Sequence, residues 1–251
     1  MKEERKTRNP FGIVFDAITT EEFISYAISA AHEKNSLNFI TYLNAHCVNI
    51  YFRDPQYAQI INRADLVYAD GQAVIWASRF LGEPLPERIS AGDFFMEFCR
   101  KCVEEDLSLF LLGSAPKVAE KAMKNIRAEV PGIKFKGACH GYFQKEKTAG
   151  VLATIKEAAP DILLVGMGVP IQEKFARNHL TELNVPVTWC VGALFEYFAG
   201  ETPRAPRWIR RIGMEWLFRL TMEPRRLWKR YLLGNLCFIG KTLRARLKNK
   251  K

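Results

Sequence analysis

Hydrophobic positions along the chain fall into two alternating patterns. Short unbroken apolar runs, "LNFITYLN", "DLVYAD", "LSLFLLG", "DILLVG" and "VPVTWC", read as strands buried on both faces. Between them, apolar residues recur with helical spacing. Strand and helix in strict alternation predict an α/β fold, a Rossmann-like parallel sheet with crossover helices. Local signals place several boundaries. Thr19 followed by Glu22 is a capping box opening a helix through "FISYAISAAHEK", and Asp54-Pro55 marks another clean start. "LNFITYLN" breaks into a helix after Asn44, and "DLVYAD" gives way to a helix from Gly71. "GIVFD" reads as an edge strand and "IKFKGAC" as a further strand. No low-complexity linker or sequence repeat interrupts the scheme.

In such sheets ligands bind at the carboxyl ends of the strands, where loops and helix N-termini converge. Five polar or glycine-bearing turns fall there: Asn44, Asp70-Gly71, Gly113-Ser114, Gly166-Met167-Gly168 and Gly192-Ala193. Helix N-termini suit phosphate, so the set points to a nucleotide pocket. "GMGVPI" lacks the third glycine of a dinucleotide fingerprint, and no GxxxxGK[ST] occurs, which argues against a nicotinamide enzyme and a P-loop. Asp70, at a strand end, reads either as a cap for the following helix or as a proton acceptor. His46 follows the Asn44 turn, and its reading is structural.

Charge changes the picture at the C-terminus. The 251 residues, 48% hydrophobic, suffice for one α/β body with an appendage. From Arg204 onward there are 15 Lys and Arg against two acids, so the tail carries the chain's whole net charge of +10. In "RWIRRIGMEWLFRLTM" the residues Ile209, Ile212, Gly213, Trp216, Leu217 and Leu220 predict one amphipathic helix flanked by arginines. Such a stripe either docks on the body or lies in a bilayer interface. The segment after Glu223 mixes ten basic residues with Trp228, Tyr231 and Phe238, which favours an anionic membrane surface. A nucleic-acid-binding arm is the rival reading, but no nucleic-acid module is seen in the body. A second subunit covering the stripe is the alternative to lipid. The expected division is a catalytic body over residues 1–200 and a basic amphipathic appendage over 201–251. "MKEERKTRNPF" carries no signal-type apolar segment, and the six cysteines lack framework spacing, so a cytoplasmic, membrane-associated protein with reduced thiols is expected.

In order along the chain, "TYLNAHCVNI", "ADGQAVIWASRFLG", "ERISAGDF", "LFLLGSAPKVAEKA", "DILLVGMGVPIQEKF", "VGALFEYFAGETPRAP" and "EWLFRLTMEPRRLWKRY" resemble the WecG/TagA/CpsF family of bacterial glycosyltransferases. The resemblance runs from about Asn38 to Tyr231. It implies inverting transfer of a sugar from a UDP-sugar to a polyprenyl-diphosphate-linked saccharide, at the inner face of the plasma membrane. N-acetylmannosamine, its uronate and glucose-type sugars are the implied donors. Asp70 matches the family's catalytic base, Asn44 its pocket asparagine, Arg88 an arginine near the donor, and Gln172 the glutamine of its PxQE motif. Arg219, Arg226 and Arg230 match appendage arginines that close over the phosphates. Two positions depart from the pattern: Tyr42 stands where a threonine is usual, and "GALFE" replaces "GGAFD", so that Glu196 replaces an aspartate. No DxD is present, so the leaving diphosphate is expected to be met by arginines and helix N-termini without a metal or other cofactor.

Overall fold

The computed structural model describes residues 6–248. Its centre is a six-stranded, all-parallel sheet built from β3 (Asn38–Leu43), β4 (Leu66–Ala69), β5 (Ser108–Gly113), β6 (Lys134–Cys139), β7 (Ile162–Gly166) and β8 (Val187–Cys190). The spatial order is β4-β3-β8-β7-β5-β6. Five of the six strands are buried along their whole length, and only the edge strand β6 alternates with solvent. Helices cover both faces, which is why these strands read as continuous apolar runs. Trp189 on β8 anchors one side of the core, packed among Phe23, Phe94, Phe95 and Phe98, with its indole N–H donating to the Tyr68 hydroxyl at 3.1 Å.

The predicted helix starts form as expected. Thr19 and Glu22 exchange both hydrogen bonds of a capping box at the head of Thr20–His32, and Asp54 accepts from the Tyr57 N–H at the head of Pro55–Asn62. "GIVFD" differs from expectation. Its strand β2 (Phe15–Asp16) pairs antiparallel with β1 (Thr7–Arg8) in a separate two-stranded sheet, and the Asp16 carboxylate accepts from the Val67 N–H of β4. A side chain, not a strand ladder, therefore closes that edge.

The tail also departs from the single helix its periodicity predicts. It runs as Arg207–Arg211, Glu215–Met222, Pro224–Trp228, a π-turn over Lys229–Leu233, and a long helix Gly234–Lys248. The first break is a Schellman stop: the Gly213 N–H reaches Arg210 O and the Met214 N–H reaches Ile209 O. Gly213 takes φ +74°, and a Cβ there would lie 2.6 Å from Gln72 Cγ, so this turn is seated directly on the helix Gln72–Phe80. Glycine satisfies both demands, the left-handed backbone and the close approach. The last helix then returns to the body. Phe238 and Thr242 are buried, Phe238 packs on Phe11 at 5.4 Å, and Asn49 donates to Gly234 O at 2.7 Å.

Candidate active site

All six strands of the main sheet end at one cavity of about 630 Å³, lined by Asn44 after β3, Asp70 after β4, Ser114 after β5, Gly141 after β6, Gly166 to Gly168 at β7 and Gly192 after β8. The opposite wall comes from the tail: Gly213, Glu215, Trp216, Arg219, Arg226, Leu227, Arg230 and Tyr231. That volume lies in the range of small-molecule sites.

Backbone geometry sets the floor. A Cβ on Gly113 would lie 2.2 Å from Gly166 O, so β5 and β7 can only meet there if residue 113 has no side chain. Tyr42, nearly buried, points its hydroxyl to where a Cβ on Gly192 would stand. Asn44, which lines the cavity, caps Ala45–Tyr51 by accepting from the His46 and Cys47 N–H groups at 3.0 and 3.1 Å. Gln172 and Gly113 lie behind the lining. The buried Gln172 carbonyl oxygen accepts from the Gly168 and Gly192 N–H groups, and its nitrogen donates to Glu173 at 2.8 Å. Gln172 therefore ties two glycine loops together from beneath.

Asp70 continues β4 by donating its own N–H to Leu43 O. The helix after it is capped by Gly71, at φ +107°, with no side-chain cap bond, so the capping role open for Asp70 in the sequence is not taken up. Its carboxylate faces the cavity instead. Burial raises its pKa to about 6; Arg88, Arg230 and Arg204 oppose that rise while Glu215 adds to it. Arg88 reaches this position because the chain returns after Gln72–Phe80 and the Ile89 N–H donates to Ala69 O, laying residue 88 beside the end of β4. There Arg88 pairs with Asp93 at 2.6 Å and Glu215 at 3.4 Å. His46 also lines the cavity, but burial, Arg230 and Arg53 lower its pKa to about 4, leaving a neutral imidazole near neutral pH.

Among the tail arginines, Arg219 lies over the Tyr197 ring at 5.6 Å, and Arg230 lies over Tyr231. Their Nε atoms are buried without a hydrogen-bond partner. Arg226 is engaged differently, gripping Glu223 through both Nε and Nη2. Glu196 lines the cavity beside Tyr197. Glu215, Asp93, Arg204 and Tyr197 are participants that sequence reading missed. Asp93 and Arg204 stand inside "ERISAGDF" and "PRAP", yet a pairing across 111 residues leaves no periodic trace.

A parallel sheet whose strand ends surround a cavity lined by the carboxylates of Asp70, Glu196 and Glu215 and by several guanidinium groups has the construction of a group-transfer enzyme. The model of the Glycosyl transferase WecG/TagA/CpsF family matches residues 8–251. The chain belongs to that family and is a glycosyltransferase. It is 33% identical over 246 residues to a Staphylococcus aureus protein named N-acetylglucosaminyldiphosphoundecaprenol N-acetyl-beta-D-mannosaminyltransferase, covering 96% of this chain and 93% of that one. A Bacillus spizizenii protein of the same name is 28% identical over 229 residues, covering 91% and 87%.

Proposed function

We propose that this glycosyltransferase moves N-acetylmannosamine from UDP-N-acetylmannosamine to N-acetylglucosaminyl-diphosphoundecaprenol, with inversion and without a metal ion. The reading follows its relatives in substrate, and one observation in this chain carries the chemistry. Asp70, released from capping, sits in the same cavity as Arg88, Arg219 and Arg230.

In the reaction, the Asp70 carboxylate accepts the proton of an acceptor hydroxyl. The hydroxyl oxygen attacks the anomeric carbon on the face opposite the diphosphate. The anomeric C–O bond to UDP breaks, and its electron pair leaves on the diphosphate. A base with pKa about 6 is ionised at neutral pH yet still basic enough to take a proton. The negative charge building on the leaving group is met by guanidinium donors, and the unpartnered Nε atoms of Arg219 and Arg230 suit it.

The tail presents its second face outward. Leu232, Leu236, Ile239, Leu243 and Leu247 follow i, i+4, i+7, i+11, i+15 and are about half exposed or more, opposite the buried Phe238 and Thr242. Lys241, Arg244, Arg246 and Lys248 stand along the same helix. No helix among the described residues is long and apolar enough to cross a membrane. We assign this stripe to the surface of an anionic leaflet, where the lipid-linked acceptor resides.

The test is transfer itself. Mass analysis should show one N-acetylhexosamine added to a diphosphoprenyl N-acetylglucosamine acceptor, in the presence of EDTA. Asp70→Asn should slow that transfer by about 10²–10⁴. Exclusive use of a glucose-type donor, or strict magnesium dependence, would contradict the proposal.

A further inference from the structure

Asp93 opens the helix Ala91–Glu104 and lies outside the cavity lining, yet three arginines converge on its carboxylate. Arg88 approaches at 2.6 Å and Arg204 at 2.7 Å, and Arg210 completes the cluster. Arg88 belongs to the body and lines the cavity, whereas Arg204 and Arg210 belong to the segment that leads into the tail. Arg204 also donates to Gly92 O and lies so flat there that a Cβ on Gly92 would stand 2.9 Å from its Cζ. Arg210 in turn donates through Nε to Ala205 O, closing the segment on itself. On its other side Arg88 meets Glu215, two residues beyond the Arg210–Gly213 stop.

The Asp93 side chain is 30% exposed and its three arginines 16–24%, so the cluster is partly shielded from solvent. A carboxylate that gathers three cations also constrains geometry. The arrangement does fix two things: where the tail leaves the body, and which way Arg88 points. Among the described residues Asp93 is the one carboxylate paired with Arg204 and Arg210. Without its charge, three guanidinium groups would crowd together and repel.

The geometry points to Asp93 as a positioning residue that locks the C-terminal segment over the cavity and aims Arg88 at the diphosphate of the donor. This rests on the nucleotide-sugar reading above. Asp93 touches no substrate; it acts through Arg88 and through the segment carrying Glu215, Arg219 and Arg230.

The experiment compares binding of UDP and of uridine to the full-length protein and its Asp93→Asn and Asp93→Glu variants, with tryptic cleavage as a second readout. Uridine reports the base and ribose contacts; UDP adds the diphosphate. For Asp93→Asn the UDP dissociation constant should rise about tenfold or more, with uridine binding unchanged. Cleavage at Arg204, Arg207, Arg210 and Arg211 should quicken, and Asp93→Glu should recover part of both effects. UDP affinity equal to wild type, or equal losses for UDP and uridine together with a lowered melting temperature, would overturn the proposal. Should the wild-type protein bind no UDP, the nucleotide reading fails instead. The cleavage rate then judges the hub alone, and an unchanged rate would sink it.

Discussion

As the proposed base, Asp70 sits where catalysis would gain and folding loses. Its carboxylate titrates near 3.8 when exposed and near 6 in the fold, chiefly because burial disfavours the charged form. A folded pKa above the unfolded one means that the native state binds the extra proton between those values, so stability falls as pH rises through that window. Above pH 6 the ionised carboxylate costs about 3 kcal/mol, and below about pH 4 it costs nothing. Asp70→Asn should accordingly be more stable than wild type toward urea at pH 7. That advantage should shrink steadily as the pH is lowered through 6 toward 4. A variant equally stable at both ends would show that the carboxylate is not desolvated. Glu173 adds a cost of the same sign, since burial raises its pKa to about 7 while it holds the Gln172 amide. The stability maximum of this protein should therefore lie on the acid side of neutrality.

At the scale of elements, the last helix has two apolar faces with different fates. Phe238, Thr242 and Ala245 face the body, and Leu236, Ile239, Leu243 and Leu247 face outward. Leu236→Glu combined with Leu243→Glu should abolish flotation with anionic vesicles while leaving the melting temperature within a few degrees of wild type. Retained flotation would assign the stripe to another partner. The elements also show what the sequence made legible. Strands β3, β4, β5, β7 and β8 were readable because both of their faces are covered, which writes burial as an unbroken apolar run. Strand ends in a parallel sheet converge, so Asn44, Asp70, Ser114, Gly166, Gly168 and Gly192 could be placed on one rim before any coordinates. The break at Gly213 was hidden because the stripe keeps its helical phase across a Schellman turn. What betrays it is a left-handed glycine, and "RRIGM" offered one. Gln172 is singled out by the family motif alone, and its bonds to the N–H groups of Gly168 and Gly192 could not be read there because they join two loops brought together only by folding. The Asp93 hub stayed illegible for the same reason.

For the whole molecule, the body and the tail share one cavity: the sheet supplies Asp70 and the glycine floor, and the tail supplies Glu215, Trp216, Arg219 and Arg230. On the proposed function the site is complete only with the C-terminal segment in place, and the proposed contact of the last helix's outward stripe with a lipid surface would couple the two. The measurement that bears most directly on this is UDP release with a water-soluble diphosphate-linked N-acetylglucosamine acceptor, comparing the full chain with a chain ending at Gly200. Removing membrane from the assay isolates the cationic wall as the variable. Turnover should fall by at least about a hundredfold in the shortened chain, because the leaving group loses its guanidinium donors. Undiminished turnover would show that the sheet alone is the catalyst and that the tail serves only as an anchor.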